Sequence, residues 1–233
     1  MDVTKCRICN NENLQKFLSL GNQPLANSFL KEDQLNDEEE IFPLELCFCN
    51  NCKLTMLTHV ISPEKMFKNY VYVSSTTSTF KTHFDQFAQE AVNMMDLEKG
   101  SLVVDIGSND GILLRPFKDF GMRVVGVEPA TNVAEIAENN GIETVNDFFN
   151  ENTAKEIIEK KGNAAVVTAT NVFAHVHDIF SFTKNVYSLL KDNGIFVIEV
   201  QYFADMLRKM TFDNIYHEHL SYFTATSLLN FFP

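Results

Sequence analysis

The chain has 233 residues, 45% of them hydrophobic and 21% charged, with a formal net charge of −12. That mixture is too apolar for disorder, and the chain is long enough to bury a core without staples. The acid excess excludes a general nucleic-acid binder, and the absence of an apolar run of about 18 residues argues against a transmembrane helix or any membrane role.

The first residues, Met1 to Cys6, hold no apolar signal core, so a cytoplasmic location is expected. All five cysteines fall within the first 52 residues. In a reducing compartment such clustering reads as metal binding rather than disulfides. Cys6-Arg7-Ile8-Cys9 and Cys49-Asn50-Asn51-Cys52 are two C-x-x-C knuckles. Together they offer four thiolates, a set suited to a closed, structural zinc site with Zn–S of about 2.3 Å. The 39-residue loop between Cys9 and Cys49 is no obstacle, because closure entropy grows slowly with length. Cys47 is left as a buried or spare thiol. Residues 1–60 therefore read as a small zinc-binding domain with turn signals at Asn10-Asn11 and Gly21-Asn22 and little regular periodicity. Residues 61–98 read as a connector and then a helix, with Phe80, Phe84, Phe87 and Ala91 at helical spacing for core packing.

From residue 101 strands and helices alternate. Strands are predicted at 101–106, 123–128, 142–145, 164–168 and 195–200. Helices are predicted at 132–140, 154–161 and 179–190, with a turn at Asp192-Asn193-Gly194. Unbroken apolar strands imply a parallel sheet covered on both faces, an α/β Rossmann-like core over residues 99–233. The first strand runs into Asp105-Ile106-Gly107-Ser108-Asn109-Asp110-Gly111, at the edge where such sheets bind ligands. Gly107 and Gly111 allow close backbone approach. Asp105 and Asp110 would repel a diphosphate and suit a ligand with a cationic end, such as S-adenosylmethionine. Glu128 ends the second strand, where a carboxylate can accept both ribose hydroxyls. Asn146-Asp147-Phe148 ends the third, where a polar group and a ring can hold an adenine. The order of these features implies a class I, S-adenosylmethionine-dependent methyltransferase core, with NAD as the alternative cofactor.

Asn171-Val-Phe-Ala-His175 follows the fourth strand, and Ile215-Tyr216-His217-Glu218-His219 follows the fifth, both at the edge expected to hold the donor. Asn171 is a donor-binding candidate. A metal at His217 and His219, or a solvated loop, would also place histidines there. General acid/base chemistry fits better, with a neutral His taking a proton and Glu orienting it. Strand-like alternation would put His217 and His219 on one face and Glu218 on the other. Carbon methylation requires a carbanion or enolate first, and a His, Glu and Tyr cluster suits proton removal beside a carbonyl.

These motifs, with L-G-N-Q-P-L-A-N-S-F (20–29) and Y-V-Y-V-S-S-T-T-S-T-F-K-T-H-F (70–84), resemble the sugar C-methyltransferases that act on nucleotide-linked 4-keto-6-deoxy sugars in deoxysugar biosynthesis. The resemblance implies structural zinc at Cys6, Cys9, Cys49 and Cys52, and donor binding at Asp105, Gly107, Gly111, Glu128, Asp147 and Phe148. It implies that His219 is the base, with Tyr216, Glu218 and His175 around the sugar. Tyr70, Tyr72, Ser75, Ser78 and His217 would line the nucleotide-sugar pocket, and the methyl group would go to carbon 3. A small-molecule O- or N-methyltransferase, or a non-catalytic donor-binding partner, are the alternatives. The family carries a further C-terminal domain, whereas Thr226 to Phe232 reads as a helix with an uncovered apolar face. The expectation is a missing third part, weak or absent activity of this chain alone, and self-association or a partner chain at residues 226–233.

Overall fold

The computed structural model describes every residue except Lys68, Asn69, Val71 and Pro233. In chain order the elements are β1 (Leu14–Gln23), β2 (Phe42–Cys49), β3 (Thr55–Leu57), α1 (Pro63–Phe67), α2 (Ser78–Met94), β4 (Leu102–Ile106), α3 (Leu114–Asp119), β5 (Arg123–Val127) and α4 (Thr131–Asn139). They continue with β6 (Thr144–Val145), α5 (Glu151–Lys161), β7 (Ala164–Thr170), α6 (Ile179–Leu189), β8 (Leu190–Glu199), α7 (Phe203–Lys209), β9 (Ser221–Tyr222) and α8 (Ala225–Phe231). The described residues form two compact units, neither continuous in sequence. Residues 1–66, 173–179 and 200–232 make one, and residues 67–172 and 180–199 make the other. This departs from the sequential division 1–60, 61–98 and 99–233, because residues 173–179 and 200–232 group with the N-terminal segment.

The second unit is built on a parallel sheet in the order β6-β5-β4-β7-β8. All five residues of β4 and the first six of β7 are buried. That burial explains why these strands read as unbroken apolar runs. Strand order reverses between β4 and β7, which creates the crevice where such sheets take ligands. The stripe on α2 is core: Phe84, Ala88 and Ala91 are buried, and Phe80 and Phe87 pack beside them against Leu114 and Phe117. Burial of a side chain such as Phe117 contributes about 1.5–3 kcal/mol. Asn150 starts α5 by accepting the Asn152 and Thr153 N–H groups, and the Asn150 N–H donates back to the Thr153 hydroxyl. The turn predicted at 192–194 lies inside β8 instead. Ala164 faces Leu190 and Val166 faces Ile195, so residues 191–194 bulge out, with Asn193 at φ 61°.

The first unit carries an antiparallel sheet in the order β1-β2-β3-β9. The Gly21-Asn22 turn signal falls inside β1, where the pairing slips between Ser19 and Asn22 and Gly21 takes φ 73°. The core is shared between distant segments. Leu44, Leu46, Leu57 and Val60 pack with Phe203, Met206, Ile215, Leu220 and Tyr222. In α8, Leu229 is 73% exposed, but Phe231 and Phe232 both meet the Phe173 ring at 6.0 and 6.1 Å. The terminal aromatic pair is thus partly covered from within its own unit; Pro233 lies outside the described residues. Among the described residues no helix is long and apolar enough to cross a membrane.

Candidate active site

In the parallel-sheet unit, the turn after β4 bends through Gly107 (φ 68°), Asn109 (φ 50°) and Gly111 (φ 78°). A Cβ on Gly107 would meet Val172 Cγ2 at 2.4 Å, so only glycine fits between the two strand ends. The Glu128 carboxylate fastens the turn. Its Oε2 accepts the Asn109 N–H at 3.0 Å and its Oε1 accepts the Ala130 N–H at 2.9 Å. Each oxygen keeps further acceptor capacity, which fits hydroxyl donors such as a ribose diol. Gly107→Ala is expected to weaken S-adenosylhomocysteine binding at least tenfold and to cost about 1–3 kcal/mol of stability, readable by calorimetry and thermal melts.

Asp105 and Asp110 make this turn acidic. Asp105 is 2% exposed and accepts a hydrogen bond from Thr168 Oγ1 at 2.6 Å. Burial pushes its pKa up to about 7, the Glu128 charge adds to this, and Thr168 opposes it. Asp110 is fully buried, and neither of its carboxylate oxygens has a hydrogen-bond partner among the described residues. Carboxylate oxygens left without a partner at a close-approach turn fit a ligand that brings hydrogen-bond donors or a cationic end, such as S-adenosylmethionine, and do not fit a diphosphate, which offers only acceptors. An unfolded Asp titrates near 3.9. Between there and about 7 the native state holds the extra proton, so stability falls as pH rises through that window. Asp105→Asn removes this slope. It should raise the melting midpoint by roughly 5 °C at pH 8 and change little at pH 4; a loss at pH 8 would contradict the assignment.

Asn109 was not singled out by sequence, yet it ties the backbone at Tyr72 and Ser74 to the turn. Its side-chain amide donates to the Tyr72 carbonyl at 3.0 Å, and its Oδ1 accepts the Ser74 N–H at 2.8 Å. Asn132 donates to the Tyr70 carbonyl at 2.8 Å. The signal for Asn109 is its place in G-S-N-D-G, because Asn tolerates left-handed backbone and both donates and accepts. The Tyr70 and Tyr72 rings meet edge-on at 6.5 Å, and Ser75 and Ser78 are exposed. After β6, Asn146 bridges the Thr131 hydroxyl and the Glu128 carbonyl, Asp147 is exposed, and Phe148 is half-buried. Asn171, at φ 56°, donates its N–H to the Glu199 carbonyl. Glu199 also pairs with His83 at 2.7 Å, a contact that sequence reasoning missed.

The first unit holds His175, His177, His217 and His219. Residues 216–219 form a turn, with the His219 N–H donating to the Tyr216 carbonyl at 3.1 Å, so the strand-like alternation is corrected. The turn folds Tyr216 back on His219: the hydroxyl lies 3.0 Å from His219 Nε2, and the rings are 4.2 Å apart. His219 Nδ1 lies 2.8 Å from the Asn214 carbonyl. The His175 ring sits 5.0 Å from that of His219. Burial, then the neighbouring His219, lowers the His175 pKa to about 3; burial also lowers that of His219. Both rings are therefore neutral at pH 7. Glu218 accepts a hydrogen bond from Asn27 at 2.6 Å, which gives the P-L-A-N-S-F motif a positioning part. His217 is 1% exposed, bonded to the Phe42 carbonyl at 3.3 Å and edge-on to the Phe42 ring.

In the same unit, the Cys6, Cys9, Cys49 and Cys52 sulfurs all lie within 4.8 Å of one another, with Cys6–Cys52 at 3.3 Å and Cys9–Cys49 at 3.5 Å. A tetrahedral ion about 2.3 Å from each sulfur sets them roughly 3.8 Å apart, so the quartet fits zinc. Cys47 is buried and outside the group. Among the described residues, His217 and His219 belong to no cluster able to hold a metal.

Residues 6–67 match a family described as a zinc binding domain, and residues 80–232 match one described as a methyltransferase domain. The second match spans well over half of the chain, which therefore belongs to the methyltransferase-domain family. C-methyltransferase NovU of Streptomyces niveus is 37% identical over 230 residues, 99% of this chain and 55% of that protein. A ubiquinone biosynthesis O-methyltransferase of Azorhizobium caulinodans is 30% identical over 113 residues, 48% of this chain and 44% of its own length. The chain thus spans about half the length of these curated relatives. A SAM-dependent methyltransferase structure from Archaeoglobus fulgidus superposes with a TM-score of 0.52 at 18% identity, over 64% of this chain and 66% of that one. That likeness carries the class I fold alone.

Proposed function

We propose that the chain transfers a methyl group from S-adenosylmethionine to carbon 3 of a nucleotide-linked 4-keto-6-deoxy sugar, through an enolate. The observation that carries this reading is the polarity of the His219 ring. A carbonyl only accepts, so the nitrogen facing Asn214 holds the ring proton and Nε2 keeps its lone pair beside the Tyr216 hydroxyl. A buried, neutral imidazole with an adjacent phenol suits removal of a proton alpha to a ketone.

In the proposed reaction His219 Nε2 takes the proton from carbon 3. The C–H pair becomes the carbon–carbon double bond, and the carbonyl pair moves to oxygen. The Tyr216 hydroxyl, which donates to Nε2 in the resting site, turns to donate its hydrogen bond to that developing oxyanion as Nε2 takes up the carbon proton, with His175 as a second neutral group beside it. Glu218, held by Asn27, adds a fixed acceptor for the sugar. S-adenosylmethionine, when bound, supplies a methyl group on a sulfonium leaving group. Asp105, Asp110 and Glu128 would hold it, with Gly107, Gly111 and Asn171 shaping the turn and Asp147 and Phe148 beside the adenine. Tyr70, Tyr72, Ser75 and Ser78 would meet the nucleotide sugar. The cysteine quartet would hold structural zinc, which fits a reducing cytoplasm, where thiolates stay free for metal.

The match to a C-methyltransferase over 99% of this chain supports this reading, whereas the matches to O-methyltransferases such as that of Azorhizobium caulinodans cover about half of it. A donor-dependent screen over dTDP- and CDP-linked keto-sugars, read by mass and by NMR of the new methyl group, separates the two. A carbon-bound methyl supports the proposal. An oxygen-bound methyl overturns it.

A further inference from the structure

We propose that Arg7, inside the first cysteine knuckle, is a positioning residue for His175. The proposal rests on the reading of His175 as part of the proton-transfer cluster. Cys6-Arg7-Ile8-Cys9 would need only its cysteines to hold a metal, yet the Arg7 side chain reaches 169 positions along the chain. Its Nη2 donates to the Val176 carbonyl at 2.5 Å and to the His177 carbonyl at 2.6 Å. Those are the two carbonyls that follow His175. On the other side of His175, the Ala174 carbonyl accepts the N–H of Leu220, the residue after His219, at 2.9 Å. Phe173 stacks on Phe223 at 5.2 Å.

The His175 backbone is therefore pinned at both ends, once to the His219 turn and once to the knuckle. Nothing regular does this work after the single 3₁₀ turn at Phe173–His175. The knuckle is itself a firm anchor. The Cys6 N–H donates to the Asn11 carbonyl at 2.9 Å, and the Asn10 N–H donates to the Cys6 carbonyl at 3.0 Å. An arginine suits the role because its terminal nitrogen presents two N–H groups in a fixed plane, one for each carbonyl. A lysine stem is shorter and its ammonium group carries no fixed plane. A metal-binding knuckle and an acid/base histidine thus meet in one side chain, and a bound metal that stiffens the knuckle would stiffen the ring position too.

The test records ring nitrogen–proton correlations of His175, His219 and His217 in the full zinc-loaded chain, for wild type, Arg7→Gln and Arg7→Lys. Zinc content, S-adenosylhomocysteine affinity and turnover are measured alongside. Arg7→Gln is expected to keep its zinc and donor affinity, to displace the His175 signals and to leave the His217 signals in place. Its kcat should fall about 10- to 100-fold with little change in KM, as for other outer supports of a reactive group. Arg7→Lys should give a smaller displacement and recover part of the rate. His175 signals that coincide with wild type in Arg7→Gln overturn the proposal, whatever the turnover. If Arg7→Gln fails to fold, Arg7→Lys decides, because unchanged His175 signals there overturn it equally. A wild-type chain that places the methyl group on oxygen defeats the reading of function, while a displaced His175 signal still supports the positioning role.

Discussion

His219→Ala is expected to lower methyl transfer about 10³-fold, the middle of the range for a lost general base, with S-adenosylhomocysteine affinity unchanged. The separation follows from the placement of the groups. His219 and Tyr216 belong to the unit of residues 1–66, 173–179 and 200–232, whereas the turn at Asp105 to Gly111 belongs to the other. Solvent deuterium exchange into the keto-sugar without methyl donor reads the proton step alone. Wild type should exchange, and His219→Ala should not. Full-rate exchange in the variant would remove His219 from the role. Burial holds the His219 pKa below its ordinary 6.5, so the neutral base persists into mild acid and the acid limb of kcat lies below that value. Stability shares the sign: the unfolded ring gains a proton near 6.5 and the native ring only later, so stability falls as pH drops through that interval. Tyr216→Phe leaves the base and removes the donor to the oxyanion, with an expected loss of about 10²-fold.

The second large effect is metal loss. Without metal, burial pushes the Cys6 thiol up to about 11 and raises that of Cys52 as well. Four sulfurs crowded within 4.8 Å, without an ion to join them, offer little cohesion. Structural zinc contributes about 10–16 kcal/mol in isolated peptides, comparable with the 5–15 kcal/mol that holds a whole domain. Cys52→Ser, or a strong chelator, should therefore release one zinc per chain and abolish the cooperative melting of the antiparallel unit. Zinc binds cysteine as the thiolate, so zinc held by the quartet should also leave as the solution is acidified. Elemental analysis and circular dichroism check both. A metal-free chain melting like the native one would refute the structural role.

The parallel sheet was legible because burial on both faces leaves unbroken runs such as Leu102–Ile106 and Ala164–Thr170. The bulge at 191–194 was hidden because Asp-Asn-Gly reads identically in a turn and in a bulge, and only pairing to Ala164 and Val166 tells them apart. The antiparallel sheet was harder to see. β1 exposes most of its residues and slips register twice, which erases a two-residue period, and β9 has only Ser221 and Tyr222. The cysteine quartet was readable from its spacing alone. The Tyr216–His219 contact was not, since it depends on a turn where alternation predicted extended chain. Asn27, Asn109 and Arg7 act through backbone carbonyls, amides and a carboxylate far away in sequence, and no local pattern marks such partners.

The pairing of β9 with β3 also governs the order in which this protein takes shape. Thr55 and Met56 find their strand partners at Tyr222 and Ser221. A ribosome must deliver the chain as far as Tyr222 before the N-terminal sheet has its fourth strand. Chains normally mature from the leading end, and contacts of long sequence separation form slowly. Here the leading end must wait, with the edge of β3 open to other strands. Early metal capture by the two knuckles, both emerged within the first 52 residues, would hold that nascent half together until its last strand arrives.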